Sequence, residues 1–399
     1  MGDRTDEHTE SLPSIAIAKP DLGQEEADAA RDAVLSGWVT QGPQVAAFEQ
    51  EFAARIGVAH AVAVSNCTTA LHLALLGAGV GDGDEVITVS HSFIATANVI
   101  RQCGAIPVFI DIDPVTFNIN PALIQAAVTP RTRAILAVHQ MGMPADMATI
   151  MAVAEGFGLA VVEDAACAIG SAYVEAAGTQ RPIGKPFGQS VCFSFHPRKI
   201  ITTGDGGMIA TDDASLAQKF RLWRQHGMSV SDTVRHAATT VIFESYPELG
   251  FNYRMTDIQA AVGRPQLRRL DGIVARRRAL ASRYATLLRG ISGVIPPAEP
   301  AYALSNWQTY CIRLPKGMDQ RAVMQAMLND GISTRRGVMC AHLEGAYAGL
   351  PHAPLPESEA AQAEGVCLPL HLELTEADLA RVVKSLSSAI EQASQLAVG

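Results

Sequence analysis

The sequence of 399 residues predicts an α/β protein: a mainly parallel sheet covered on both faces by helices, followed by a smaller α+β domain. Three observations predict it. From residue 61 onward, short apolar runs of strand length alternate with helical patterns, as a parallel sheet requires. Polar and charged residues stand just after these runs, where such sheets bind ligands. After Pro296 and Pro297 the alternation gives way to a different texture. The length suits two domains, expected at residues 14–262 and 263–399, behind a disordered start at residues 1–13.

Composition narrows the function classes. A hydrophobic fraction of 48% with modest charge describes a globular chain with a large core. The net charge of −9 disfavours non-specific nucleic-acid binding and a basic membrane-surface role. No apolar run reaches membrane-spanning length, and the polar, acidic start has no apolar signal region. The seven cysteines (Cys67, Cys103, Cys167, Cys192, Cys311, Cys340 and Cys367) are odd in number and scattered, without zinc spacing. They read as small hydrophobes in a reducing cytoplasm. Asp111 and Asp113 lack a clear third ligand, and His91, His139 and His196 are dispersed, so no metal is expected.

The elements follow in order. Residues 25–35 and 45–56 read as helices, stopped by Ser36-Gly37 and by Gly57. Strands are expected at 61–64, 85–89, 106–110, 134–138 and 159–162, with helices at 70–76, 93–103, 120–128 and 147–155. Asn120-Pro121 supplies an N-cap and N1 pair. The glycine-dense stretch 77–83 lacks the dinucleotide spacing and precedes a strand, so it reads as a turn. Residues 173–188 read as a long polar loop, 191–195 as a buried strand, 202–207 as a tight glycine turn and 209–211 as extended. A helix at 214–225 precedes an irregular stretch at 231–251 of functional length. Thr256 opens a helix, 276–288 is a basic helix, and the small domain offers a strand at 309–314 with helices at 321–330 and 375–395.

Four groups can carry chemistry. The turn Ser65-Asn-Cys-Thr-Thr69 leaves a strand and enters a helix, whose N-terminal N–H groups suit a phosphate; taken alone it is equally an ordinary cap. Asp164 ends an apolar strand and can hold a cationic ring nitrogen, or cap a helix. Phe93 can stack on a flat cofactor, or simply pack. Lys199 lies between a buried run and a glycine turn, where a lysine is costly unless paired or covalently used. One such use is an imine with the aldehyde of pyridoxal 5'-phosphate (PLP).

Motifs in order then carry a resemblance. They are Gly42-Pro43 with Phe48-Glu49, Ser65-Asn-Cys-Thr-Thr-Ala-Leu71, Gly83-Asp-Glu-Val86, Ser92-Phe-Ile-Ala-Thr-Ala-Asn98 and Glu163-Asp-Ala-Ala166. After them come Phe193-Ser-Phe-His-Pro-Arg-Lys199, Thr202-Thr-Gly-Asp-Gly-Gly207, His226-Gly227 and Gly250-Phe-Asn-Tyr-Arg-Met255. On these the chain resembles the DegT/DnrJ/StrS family of PLP-dependent sugar aminotransferases of fold type I. The resemblance implies a seven-stranded sheet in the large domain. It implies that Lys199 is the Schiff-base and acid/base lysine and Asp164 the partner of the pyridinium nitrogen. It sets Phe93 on one ring face and Ala166 on the other, with Cys67, Thr68 and Ser194 at the phosphate. Asn252 resembles the asparagine that reaches the phosphate from the neighbouring subunit, which implies a homodimer with shared active sites. The implied reaction is ping-pong: an amino group passes from glutamate or glutamine to a keto-sugar, a nucleotide-linked 4-keto or 3-keto deoxysugar.

Some positions depart from the family pattern. Cys167 stands where glutamine or histidine is frequent, which implies a missing polar contact near the cofactor. Asp205 replaces a glutamate, His139-Gln-Met-Gly142 replaces His-Leu-Tyr-Gly, and Arg264-Pro265 interrupts a usually apolar helix. Arg335 and Arg336 suit an anion or an exposed ion pair. Other readings are a cyclitol or other non-nucleotide carbonyl acceptor, a non-catalytic PLP-binding regulator, and a dehydrogenase, the last without its fingerprint.

Overall fold

The computed structural model describes residues 13–396 except 231–233, 236 and 237. The expected disordered start thus lies outside the described residues, save Pro13. Helices α1 (Gln24–Leu35) and α2 (Pro43–Ile56) lead into β1 (His60–Val64) and α3 (Cys67–Gly77). Then come β2 (Glu85–Val89), α4 (Ala95–Gln102), β3 (Ile106–Ile110), α5 (Ile124–Ala127), β4 (Thr132–Val138), α6 (Met147–Phe157) and β5 (Ala160–Asp164). After short strands β6 (Ala172–Val174) and β7 (Gln180–Pro182), β8 (Ser190–Ser194) and β9 (Gly207–Thr211) complete a seven-stranded sheet. Its order is β1-β9-β8-β5-β4-β2-β3, and only β9 runs against the others.

Period-two alternation explains why both faces are covered. Val191 and Phe193 enter a core with Phe48, Phe52 and Phe195, while Cys192 between them enters the opposite core with Leu71, Val99 and Phe220. The same split separates Ala61 and Ala63 from Val62 and Val64.

The small domain holds a three-stranded antiparallel sheet of β11 (Tyr310–Arg313), β13 (Gly365–Leu368) and β12 (Arg335–Arg336). Helices Gln320–Asn329 and Glu376–Leu396 pack on it around Tyr284, Tyr310 and Leu386. No helix among the described residues is long and apolar enough to cross a membrane.

Several expectations need correction. The polar loop at 173–188 contains β7 and most of β6, which pair with each other and with β10 (Ala303–Leu304). The expected helix at 120–128 is a 3₁₀ turn at Pro121–Leu123 followed by the single turn of α5, with Asn120 Oδ1 accepting the Ala122 N–H. Phe93 precedes its helix instead of starting it. Arg264-Pro265 does not interrupt anything: one helix runs from Asp257 to Leu287 and absorbs the basic segment. The Pro265 ring is buried, and the Arg264 side chain reaches out from the helix to pair with Glu51 and Gln44. The expected boundary at residues 262 and 263 falls inside this helix.

Candidate active site

The site forms along the carboxyl edge of the sheet. β1 ends at Val64, and α3 begins at Cys67 with Asn66 as its cap: Asn66 Oδ1 accepts the Thr69 N–H at 2.9 Å. That leaves the N–H groups of Cys67 and Thr68 at the positive end of the helix, the arrangement that binds a phosphate. β9 closes the back of this turn. Gly207 pairs with Val64 on one side and Ser194 on the other, and a Cβ on it would collide with the Asn66 backbone. Glycine is required because two backbones meet there. Ser194 ends β8 with its hydroxyl buried, accepting the His196 N–H at 3.4 Å.

On the strand next to β8, Asp164 ends β5 at 6% exposure. Its carboxylate accepts the Ala166 N–H at 3.1 Å and the Thr96 hydroxyl at 3.0 Å, and the Ser92 hydroxyl lies 2.8 Å from that of Thr96. Burial pushes the Asp164 carboxyl above its ordinary range, against the opposing pull of the Ala166 N–H, Lys199 and Thr96. A buried carboxylate of this kind gains a countercharge from a pyridinium N–H.

Lys199 reaches the same crevice, and its amine donates to Cys167 Sγ at 3.0 Å. Cys167, which stands where the family pattern has glutamine or histidine, thus meets the lysine through its thiol. Burial pushes the Lys199 amine down, but the Cys167 thiol, Cys67 and Asp164 outweigh it, and the amine titrates above the usual lysine value. Behind Asp164, the buried ring of His139 lies 3.1 Å from Glu163 and accepts the Ala145 N–H, so its Nε2 carries the proton toward Glu163.

The other expected residues take distinct places. Phe93 is 63% exposed in the connection between β2 and α4. Ala166 is half-buried beside Asp164. Asn252 is exposed, and its segment runs beside the phosphate turn of its own chain: Ser65 donates to the Tyr253 carbonyl at 2.8 Å. Arg335 and Arg336 are exposed, and Arg336 lies 3.8 Å from Glu344. Sequence reasoning assigned no role to Thr96, although it sits in the quoted motif, and none to Asn306, whose contact with Cys167 crosses 139 positions. The helix terminus, the glycine cradle, the enclosed carboxylate and the amine together fit a flat, phosphate-bearing cofactor with a cationic ring.

Comparison with known proteins agrees. The model of the DegT/DnrJ/EryC1/StrS aminotransferase family matches residues 20–387. The GDP-perosamine synthase of Caulobacter vibrioides is 40% identical over 386 residues, covering 95% of this chain and 99% of the relative. The aminotransferase TlmJ from Streptoalloteichus hindustanus is 34% identical with a TM-score of 0.86, covering 95% of this chain and all of its own. A PLP-form structure of Spr1654 from Streptococcus pneumoniae is 25% identical with a TM-score of 0.86, covering 95% of this chain and 99% of that one.

Proposed function

The chain belongs to the DegT/DnrJ/EryC1/StrS aminotransferase family, and from that premise we propose that it moves an amino group from glutamate or glutamine to a nucleotide-linked keto-sugar, with the ketone at C4 or C3, in a ping-pong sequence. It is an aminotransferase of sugar biosynthesis, and its cofactor is PLP. The name of the GDP-perosamine synthase supports a nucleotide-linked acceptor.

One observation carries the assignment of roles: a buried carboxylate and a lysine amine face one crevice beside a helix N-terminus. Bound PLP supplies an aldehyde carbon and a ring that accepts electrons when its nitrogen is protonated. Cys67 and Thr68 hold the phosphate through their N–H groups, and Ser194 through its hydroxyl. Asp164 keeps the ring nitrogen protonated, and Thr96 and Ala166 fix the direction of its carboxylate. Phe93 and Ala166 border the two ring faces. Lys199 would hold the cofactor through its amine and, with that amine free, its Nζ would accept and return the substrate proton as acid and base. The chain works as a cytoplasmic homodimer in which Asn252 of each protomer serves the neighbouring site. Its exposure supports that role, and the seven free cysteines suit a reducing compartment.

The test is the visible spectrum of the purified chain with added PLP, before and after glutamate or glutamine, followed by a screen of nucleotide-linked keto-sugars. A yellow band that either donor bleaches supports the reading. No band at all sinks it.

A further inference from the structure

Asn306 is fully buried on the strap that joins the long helix Asp257–Leu287 to β11. Both ends of its side-chain amide are hydrogen-bonded. Nδ2 donates to the carbonyls of Cys167 and Ile169, both at 2.8 Å, and Oδ1 accepts the Gln308 N–H at 2.8 Å. Gly142 lies so close that any Cβ there would strike Asn306 Oδ1, so the amide has one place to sit. Two residues on, Gln308 Nε2 donates to the Arg198 carbonyl at 2.8 Å, immediately before Lys199. The strap thus holds Cys167 on one side of the lysine and Arg198 on the other. Six of the seven cysteines are buried, and Cys167, whose thiol accepts from Lys199 Nζ, is the exception.

We propose that Cys167, fixed by Asn306, receives the Lys199 amine whenever that amine is free of cofactor, and that Asn306 is thereby a positioning residue for the lysine. A free lysine chain has several rotors, and burial alone does not choose among them. A thiol 3.0 Å from Nζ does choose, and it returns the amine to one place after each half-reaction. The groups that bear on the charge of Lys199 are Cys167, Cys67 and Asp164. Of these, Cys167 makes the direct contact, so its removal takes away part of what opposes burial, and the amine loses its proton at lower pH. The inference rests on Lys199 being the reacting lysine.

The experiment is competitive acetylation of Lys199 by acetic anhydride across pH, in the full chain freed of cofactor, read by peptide mass spectrometry. Cys167→Ala should move the labelling midpoint to lower pH and speed labelling at any fixed pH below it. Cys167→Ser should fall between this variant and the parent. Asn306→Ala should move the midpoint the same way with the thiol still present. A parental midpoint in Cys167→Ala overturns the proposal, and a parental midpoint in a folded Asn306→Ala overturns the part assigned to Asn306. If Asn306→Ala does not fold, Asn306→Asp, which keeps the acceptor for the Gln308 N–H and loses the donors to Cys167 and Ile169, makes the same test, and a parental midpoint in it overturns the part assigned to Asn306. The visible band with PLP separates the two levels: a normal band without a labelling shift removes this inference and leaves the aminotransferase reading standing.

Discussion

A side chain on Gly207 would place its Cβ 2.8 Å from the amide nitrogen of Cys67. That nitrogen heads α3, and its N–H is one of those assigned to the phosphate. Gly207→Ala must push the turn away from β9. It should cost about 1–3 kcal/mol of stability and weaken PLP binding by about tenfold or more, as read by thermal melting and cofactor titration. A variant that binds PLP as the parent does would show that the turn does not form the phosphate site.

Lys199→Ala should lower kcat by at least about 10³-fold, the scale of a lost acid/base group, because no other amine lies in reach of the Asp164 crevice among the contacts described. The variant should still bind pyridoxamine phosphate, whose affinity requires no bond to the lysine. Turnover near the parental rate would remove Lys199 from the mechanism.

Asp164→Asn separates catalysis from folding. The buried carboxylate is held above its ordinary range, so its ionised form works against the cofactor-free fold at neutral pH. The amide should therefore leave the cofactor-free chain as stable as the parent or more so, while kcat falls by about 10²-fold or more. Loss of both stability and activity would mean that the carboxylate is structural instead.

His91 predicts an acid sensitivity. Both ring nitrogens are buried without a partner, and burial pushes the ring down to about 4 from its ordinary 6.5. In the unfolded chain the ring takes up a proton below about 6.5; in the fold it does so only near 4. The unfolded state therefore binds more protons within this window, and stability falls as pH drops through it. From pH 7 to pH 5 this amounts to about 2 kcal/mol. His91→Leu should remove that share of the acid loss, measured as the difference in unfolding free energy at the two pH values. Equal acid losses in parent and variant would assign the sensitivity to other groups.

The large sheet was legible because its strands are short, apolar and buried on both faces, and because Asp164 and Lys199 sit where such strands end. The small strands β6, β7 and β10 were not: Ala172–Val174 and Gln180–Pro182 have neither the length nor the alternation that marks a strand, and they form because residues 303–304 arrive from far along the chain. Pro265 misled for a related reason. The nitrogen of any proline lacks its N–H, and in isolation that argues for a break, but Gln266 donates to the carbonyls of Thr202 and Val262 and ties the helix to the lysine loop. The contact between Lys199 and Cys167 had no local signal, since it depends on Asn306 fixing the Cys167 backbone.

The helix Asp257–Leu287 also bears on how the protein can be taken apart. At its first residue, the Asp257 carboxylate accepts the N–H groups of Gly42, Gln44 and Val45, anchoring α2. Near its last, Tyr284 fills the small-domain core and donates to the Pro369 carbonyl. One continuous rod is thus a wall of both hydrophobic interiors. The two lobes are not interchangeable cassettes: a chimera joined between residues 262 and 263 severs the rod within its second turn and takes most of it from the partner, and successful recombination among relatives must exchange the helix whole.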